Sequence, residues 1–269
     1  MKDRLRTIVA ESRGVPAVRH VVREYVQHYI LYLLFRTRHY RELAFTGGTA
    51  LRVLFGLPRF SEDLDFSLAG VVRPFRFDAI CADLVSELAG AGYDVGERRR
   101  EQGAVVSTFI KFPGLLSELG LSPHASEAMS VRVEVDTNPP AGGAAGLGLV
   151  NRYHLLYSVW RHDLPTLFAG KLHALLFRPY EKGRDVYDLL WFLTTHQETA
   201  PNLDFLNNAA RQTVPDPPVF TVANWRGLLA ERLAGMDVRR AREQVRPFLE
   251  RPEEADLMTP ESFAALLAP

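Results

Sequence analysis

The chain has 269 residues, 47% of them hydrophobic and 24% charged, with a formal net charge of zero. That balance suits one large globular domain or two modest ones, and it excludes a protein drawn as a whole onto nucleic acid or membrane by its overall charge. The single cysteine, Cys81, excludes an internal disulfide and any cysteine-built metal centre.

The first forty or so residues are rich in arginine (Arg4, Arg6, Arg13, Arg19, Arg23, Arg36, Arg38 and Arg41), which reads first as an ordinary solvated helix face, with a local basic surface as the alternative. The N-terminus lacks the apolar stretch of a signal peptide, and the run 29–35 is too short to span a bilayer. With the cysteine usage, this gives a cytoplasmic expectation and no membrane partner. Val18, Val22, Tyr25, Val26, Tyr29, Ile30 and Leu33 form one stripe, predicting a helix over 16–36. A short apolar strand follows at 43–46. Gly47 and Gly48 stop it, and 49–55 reads as a helix that ends ahead of Pro58. Residues 63–68 alternate as a strand, 70–74 read as a turn, and Phe77, Ile80, Leu84 and Leu88 mark a helix that buries Cys81.

Residues 105–112 alternate as a strand. Residues 130–136 alternate more clearly, with Val131, Val133 and Val135 on one face and Arg132, Glu134 and Asp136 on the other. The preceding Arg98-Arg99-Arg100 reads as a solvated turn with some capacity for RNA contact. The glycine-rich stretch 139–148 lacks the Gly-Lys-Ser/Thr ending of a phosphate loop and reads as a flexible connection. Beyond it, helices are predicted over 164–177, 186–194, 224–233, 238–249 and 260–267, the last capped by Thr259 ahead of Pro260. The span 201–218 is loop-rich. The organisation is therefore an α/β front half, 1–155, and a helical back half, 156–269.

The chemistry concentrates at 45–68, FTGGTALRVLFGLPRFSEDLDFSL. Asp63 and Asp65, two apart on a strand, share a face, while Leu64 and Phe66 point to the core. Such a pair repels itself unless a cation joins it, and a magnesium or manganese ion with its preference for oxygen ligands suits it. A strand ending in glycines that opens a helix offers bare N–H groups and the positive end of a helix dipole to an anion. Gly47, Gly48 and Thr49 are therefore candidate triphosphate contacts, with the Ser61 hydroxyl at the edge. A third carboxylate is expected on a neighbouring strand, and Glu134 is favoured over Asp136, which adjoins the Asn138-Pro139 turn.

Gly-Gly-Thr-x-Leu followed by Ser-x-Asp-x-Asp resembles the signature of the DNA polymerase β-like nucleotidyltransferases. More narrowly, it resembles the AbiEii toxin family. A second block, AGKLHALLFRPYEKGRDVYDLLWFL at 169–193, is similar to that family's Lys-x-x-Ala helix and its Arg-Asp-x-x-Asp-Leu helix, through Lys171, Ala174, Arg178, Arg184, Asp185, Asp188 and Leu189. The resemblance implies a nucleotidyltransferase core with a mixed sheet, N-terminal helices and a C-terminal helical domain. It implies transfer of a nucleoside monophosphate from an NTP, a toxin role beside a separately encoded antitoxin, and the 3′ end of tRNA as acceptor.

The residues of the second block also make physical sense by themselves. Lys171, Ala174 and Arg178 fall on one helical face, so Lys171 and Arg178 can meet phosphate. Asp185 and Asp188 lie one turn apart, where either can orient Lys171, ligate metal or take a proton; Asp185 equally suits a helix cap or first turn. His173 reads as packing, and Arg184 and Lys182 as surface charge. A protein acceptor, a metal-dependent glycosyltransferase and a non-catalytic nucleotide- or RNA-binding module are the alternatives.

Overall fold

The computed structural model describes residues 2–12, 17–70 and 75–268. The chain divides into two compact units. The first comprises Met1–Leu54, Phe60–Asn138 and Ala145–Arg161; the second comprises Phe55–Arg59, Pro139–Ala144 and His162–Pro269. Among the described residues no helix is long and apolar enough to cross a membrane. Arg13 and all but the first residue of the expected turn at 70–74 lie outside the described residues.

The first unit opens with helices α1 (Lys2–Glu11) and α2 (Val18–Arg36). Strand β1 (Leu43–Thr46) runs into helix α3 (Gly47–Phe55), and β2 (Asp63–Leu68) returns beside β1. Helix α4 (Phe77–Gly90), β3 (Gly96–Gln102), β4 (Val105–Pro113), the short α5 (Leu115–Glu118), β5 (Ala128–Asp136), β6 (Ala145–Arg152) and β7 (Leu155–His162) complete it. The strands form one seven-stranded sheet in the order β3-β4-β5-β2-β1-β7-β6. It is mixed: β1 and β2 are antiparallel, β2 and β5 parallel, β1 and β7 parallel, and β3, β4 and β5 successively antiparallel.

The alternation read from sequence sets which side of the sheet is buried. Leu64, Val131, Val133, Val135, Ile110 and Phe112 are almost wholly enclosed and, by register, share one face. Helices α2 and α4 pack against the strands of this unit. The α2 stripe is wider than a surface helix needs, because Glu24, Gln27 and His28 are buried too. Each has a partner: Glu24 accepts from Arg52 and from the Tyr153 hydroxyl, Gln27 donates to the Ser61 carbonyl at 3.2 Å, and His28 Nδ1 meets the Tyr157 hydroxyl at 2.7 Å. A polar group out of water is tolerated only when so satisfied.

Three stretches differ from the reading above. Residues Arg98 to Arg100 are not a turn but the middle of β3, paired from Gly96↔Lys111 to Gln102↔Val105. The apolar alternation that announces a strand is missing because β3 is an edge, where charged side chains keep other chains from adding on. The stretch 139–148 is not a flexible connection. Its first part is pinned by Asn202 Nδ2 to the Gly142 carbonyl at 2.8 Å and Asn208 Nδ2 to the Ala141 carbonyl at 3.0 Å, and its second part enters β6. Within that strand Gly148 sits at a close approach, since a Cβ there would stand 3.0 Å from Leu54 Cδ2 and 3.2 Å from Arg161 Cγ. The loop-rich span 201–218 contains a helix, Leu203–Thr213, capped by Asn202, whose side chain accepts from Phe205 N at 3.0 Å. The prolines that flank it obscure it in the sequence.

The second unit is helical: α6 (Leu164–Phe177), α7 (Gly183–Thr195), α8 (Leu203–Thr213), α9 (Trp225–Ala234), α10 (Val238–Val245) and α11 (Pro260–Leu267). Asp163 caps α6 by accepting from Thr166 N at 2.9 Å, and Thr259 caps α11 ahead of Pro260. Helix α10 stops short of the expected 249 because Pro247 has no N–H to continue the α-helical ladder, and the chain passes into a 3-10 turn over Arg246–Phe248. Phe168 stacks on Phe192 with ring centroids 4.3 Å apart, joining α6 to α7 in this unit's core. Gly183 opens α7 where α10 crosses it: a Cβ there would lie 2.1 Å from the Ala241 carbonyl oxygen.

Candidate active site

In the first unit the acids stand where the alternation put them. Leu64 and Phe66 are buried, while Asp63 and Asp65 are partly exposed on the opposite face of β2. Register carries that face sideways. Asp65 pairs with Thr46 on β1 and with Glu134 on β5, and Asp63 pairs with Arg132. Directly paired residues point the same way, so Glu134 shares the face of the two aspartates. Its carboxylate is held by the neighbouring Arg132. Asp136, next along the same face, accepts from Asn138 N at 2.9 Å and so initiates the turn, while burial raises its carboxyl above the usual range.

The glycine turn follows β1 directly. Gly47 has a φ of 75°, in the left-handed region that glycine occupies freely. A Cβ on Gly47 would stand 2.4 Å from Asp65 Oδ2, so any side chain here would push this carboxylate out of its place. The start of α3, the positive end of its helix dipole, therefore lies against Asp65. Gly48 and Thr49 are buried, and the Thr49 hydroxyl donates to the Asp63 carbonyl, tying α3 to the first residue of β2. Ahead of β2, α2 fixes residues 60–62. His20 stacks on Phe60 with centroids 5.3 Å apart, Arg23 Nη1 donates to Glu62 at 3.1 Å, and the Ser61 carbonyl takes its bond from Gln27.

The donor set for a cation is hard oxygen throughout. Among the described residues no three His, Cys, Asp or Glu side chains gather about one point. What faces outward is an aspartate pair, with Glu134 adjacent and engaged by Arg132. Such a pair fits magnesium, which binds through one or two carboxylates and keeps water and substrate phosphate as its other ligands.

In the second unit Lys171, Asp185 and Asp188 come together. Lys171 Nζ donates to Asp185 Oδ1 at 2.9 Å and lies 2.7 Å from Asp188 Oδ2. Arg178 reaches Asp185 Oδ2. Arg59, which the sequence reading passed over, clamps Asp188 with two bonds of 2.6 Å, from Nε to Oδ1 and from Nη2 to Oδ2. Arg59 is 1% exposed and Asp188 0%. The only hint of Arg59 in the sequence is a cation set among Leu57, Pro58 and Phe60.

Burial works against the Lys171 charge, yet the carboxylates of Asp185 and Asp188 more than offset it and raise its pKa. Burial likewise opposes ionisation of Asp185, and the Lys171 ammonium and Arg178 guanidinium override it, holding that carboxyl well below the ordinary range. Lys182, half-buried at the N-cap of α7, is depressed by burial and then by Arg184. Arg59, Lys171 and Arg178 thus all bear directly on the two carboxylates.

The remaining candidates are inert. His173 bonds Thr213 at 2.8 Å and packs on Phe177. Cys81 is buried, and burial pushes its thiol up to about 12.

The family model for the nucleotidyl transferase AbiEii toxin of type IV toxin–antitoxin systems matches residues 30–268. No curated protein matches the chain. Two crystal structures from Helicobacter pylori share the fold. JHP933 is 16% identical with a TM-score of 0.52, and 93% of this chain and 92% of that one are covered. A candidate nucleotidyltransferase is 18% identical with a TM-score of 0.53, and the coverage is 94% and 96%.

Proposed function

The chain belongs to the AbiEii family of type IV toxin nucleotidyltransferases, and from that premise we propose that it transfers a nucleoside monophosphate from an NTP to the 3′ hydroxyl of tRNA, with magnesium or manganese bound at Asp63 and Asp65. The observation that carries the reading is the fit of the bare Gly47 backbone against the Asp65 carboxylate, with Asp63 on the same open face. Membership sets aside the glycosyltransferase alternative.

On this reading Asp63 and Asp65 hold the cation and present the α-phosphate to the acceptor. When bound there, the ion neutralises charge and polarises the phosphoryl oxygen as a Lewis acid. Gly47 and the first turn of α3 offer backbone N–H groups to phosphate oxygens. Glu134 is the reserve third carboxylate and needs Arg132 to turn away. The acceptor hydroxyl attacks the α-phosphorus in line, the bond to the β-phosphate oxygen breaks, and pyrophosphate leaves. Within the second unit, Lys171 supported by Arg178 is our candidate for neutralising phosphate charge.

Asp188 is enclosed and doubly held, so its role is to position Lys171 and Arg59. The lowered basicity of Asp185 suits it to the same task rather than to taking a proton. The toxin role implies an antitoxin encoded nearby.

The test is incubation of the purified protein with each labelled NTP, Mg²⁺ and bulk tRNA, with Asp65→Asn and Lys171→Met as controls. Label in RNA that both variants abolish, and that chelation removes, is the expected result. Label confined to protein redirects the reading to protein nucleotidylation. NTP binding with no transfer leaves a nucleotide-binding module.

A further inference from the structure

The acid-bearing face of the sheet does not end at β5. Glu134 pairs with Ser107 on β4 and Arg132 with Phe109, and one strand further Ser107 pairs with Arg100 and Phe109 with Arg98. Lys111, two residues beyond Phe109, pairs with Gly96 and lies on the same side. Over β3 and β4 this face therefore carries Arg98, Arg100 and Lys111 and no acid, whereas over β2 and β5 it carries the acids.

The cations are available. Arg98 and Arg100 are exposed. Among the described residues neither makes a side-chain hydrogen bond or ion pair, while Arg99, which points to the other face, bonds Glu97 at 2.6 Å. Phe109 is partly open, with the Arg132 guanidinium 5.7 Å from its ring centroid. Three strand spacings, about 14 Å, separate the β3 arginines from the Asp63–Asp65 row.

From this juxtaposition we infer that the β3–β4 half of the face is the docking surface for the acceptor, a single-stranded RNA segment. Its phosphates lie along Arg98, Arg100 and Lys111, one base stacks on Phe109, and its 3′ end is directed to the aspartates. Paired cations beside an aromatic ring are what a single strand needs: the charges track its backbone, and the ring takes any base. A protein substrate offers no repeating negative charge to this stripe. The inference rests on the nucleotidyltransferase reading and deepens it by naming where the acceptor binds.

The test separates binding from chemistry. Affinity for a fluorescein-labelled single-stranded oligoribonucleotide is measured by anisotropy across a salt series without NTP, and Mg²⁺–NTP affinity is measured without RNA. The variants are Arg98→Glu/Arg100→Glu, the milder Arg98→Gln/Arg100→Gln, and Phe109→Leu, each checked for an unchanged thermal transition.

Charge reversal is expected to weaken RNA binding tenfold or more with Mg²⁺–NTP affinity unchanged. The glutamine pair is expected to make the slope of log affinity against log salt shallower by about 1.4, two phosphate contacts at about 0.7 each. Phe109→Leu should cost about tenfold with the slope preserved. RNA affinity and slope unchanged in both arginine variants overturn the inference, and continued labelling of tRNA by the wild type in that case leaves the transferase reading standing. Equal loss of NTP and RNA binding overturns it too, as does wild-type labelling of protein alone. If instead the surface variants lose RNA while the wild type transfers nothing, the docking surface holds and the transferase reading falls.

Discussion

Replacing Gly47 by alanine separates two effects that a single activity measurement confounds. The left-handed φ of 75° costs an L-residue about 1–2 kcal/mol wherever it occurs. The added methyl has a second consequence: it would stand 2.4 Å from Asp65 Oδ2 and 3.0 Å from Asp65 Cβ. Ordinary contact is near 3.5 Å, so the carboxylate must retreat by about 1 Å. That carboxylate is the end of a rotatable side chain, so its retreat adds little to the stability cost. In a group that positions reacting atoms, a displacement of that size lowers the rate by on the order of a hundredfold.

Gly56 supplies the control. Its φ is 74°, and a Cβ there meets nothing within 4 Å. Urea midpoints and slopes report the stability of both variants, and NTP transfer reports the chemistry. The two alanine variants should lose similar stability, within about 1 kcal/mol, while only Gly47→Ala loses transfer. Wild-type transfer by Gly47→Ala, or an equal loss in Gly56→Ala, refutes the close approach as the functional reason for this glycine.

Other consequences follow from buried groups. Arg59→Met removes one partner of an enclosed ion pair and leaves Asp188 to Lys171 alone, so it should destabilise by about 3 kcal/mol; a urea midpoint that barely moves contradicts the clamp. His28 is held neutral, its pKa lowered to about 3 by burial and then by Arg152 and Arg52. Its unfolded value is the higher one, so the unfolded state binds the extra proton. His28 therefore costs stability as pH falls from about 6.5 towards 3, and His28→Gln should flatten that part of the stability profile. His154 turns the β6–β7 hairpin with a φ of 65° and an exposed side chain. His154→Gly should raise stability by a few tenths to 1 kcal/mol as strain relief outweighs the added chain entropy; a lower urea midpoint counts against the strain.

Much of the site was legible in the amino-acid order because it is local. Period-two alternation alone puts Asp63 and Asp65 on one face and Leu64 and Phe66 on the other. A Gly-Gly pair between an apolar strand and an amphipathic helix fixes the turn. The one-turn spacing of Asp185 and Asp188 follows from the helical repeat. Chain order also determined the helices at 164–177 and 260–267, the second together with its Thr259 cap.

Only the tertiary structure decided what depends on partners distant in sequence. β3 escaped notice because an edge strand needs no apolar face, and β6 because its Gly148 answers to Leu54, 94 positions earlier in the chain. The same holds for Arg59, whose meaning comes from Asp188, 129 positions further along the chain, and for the arginine stripe, which joins the acids only through strand register. Side-chain periodicity is written into a segment, whereas register and ion pairing are settled when segments meet.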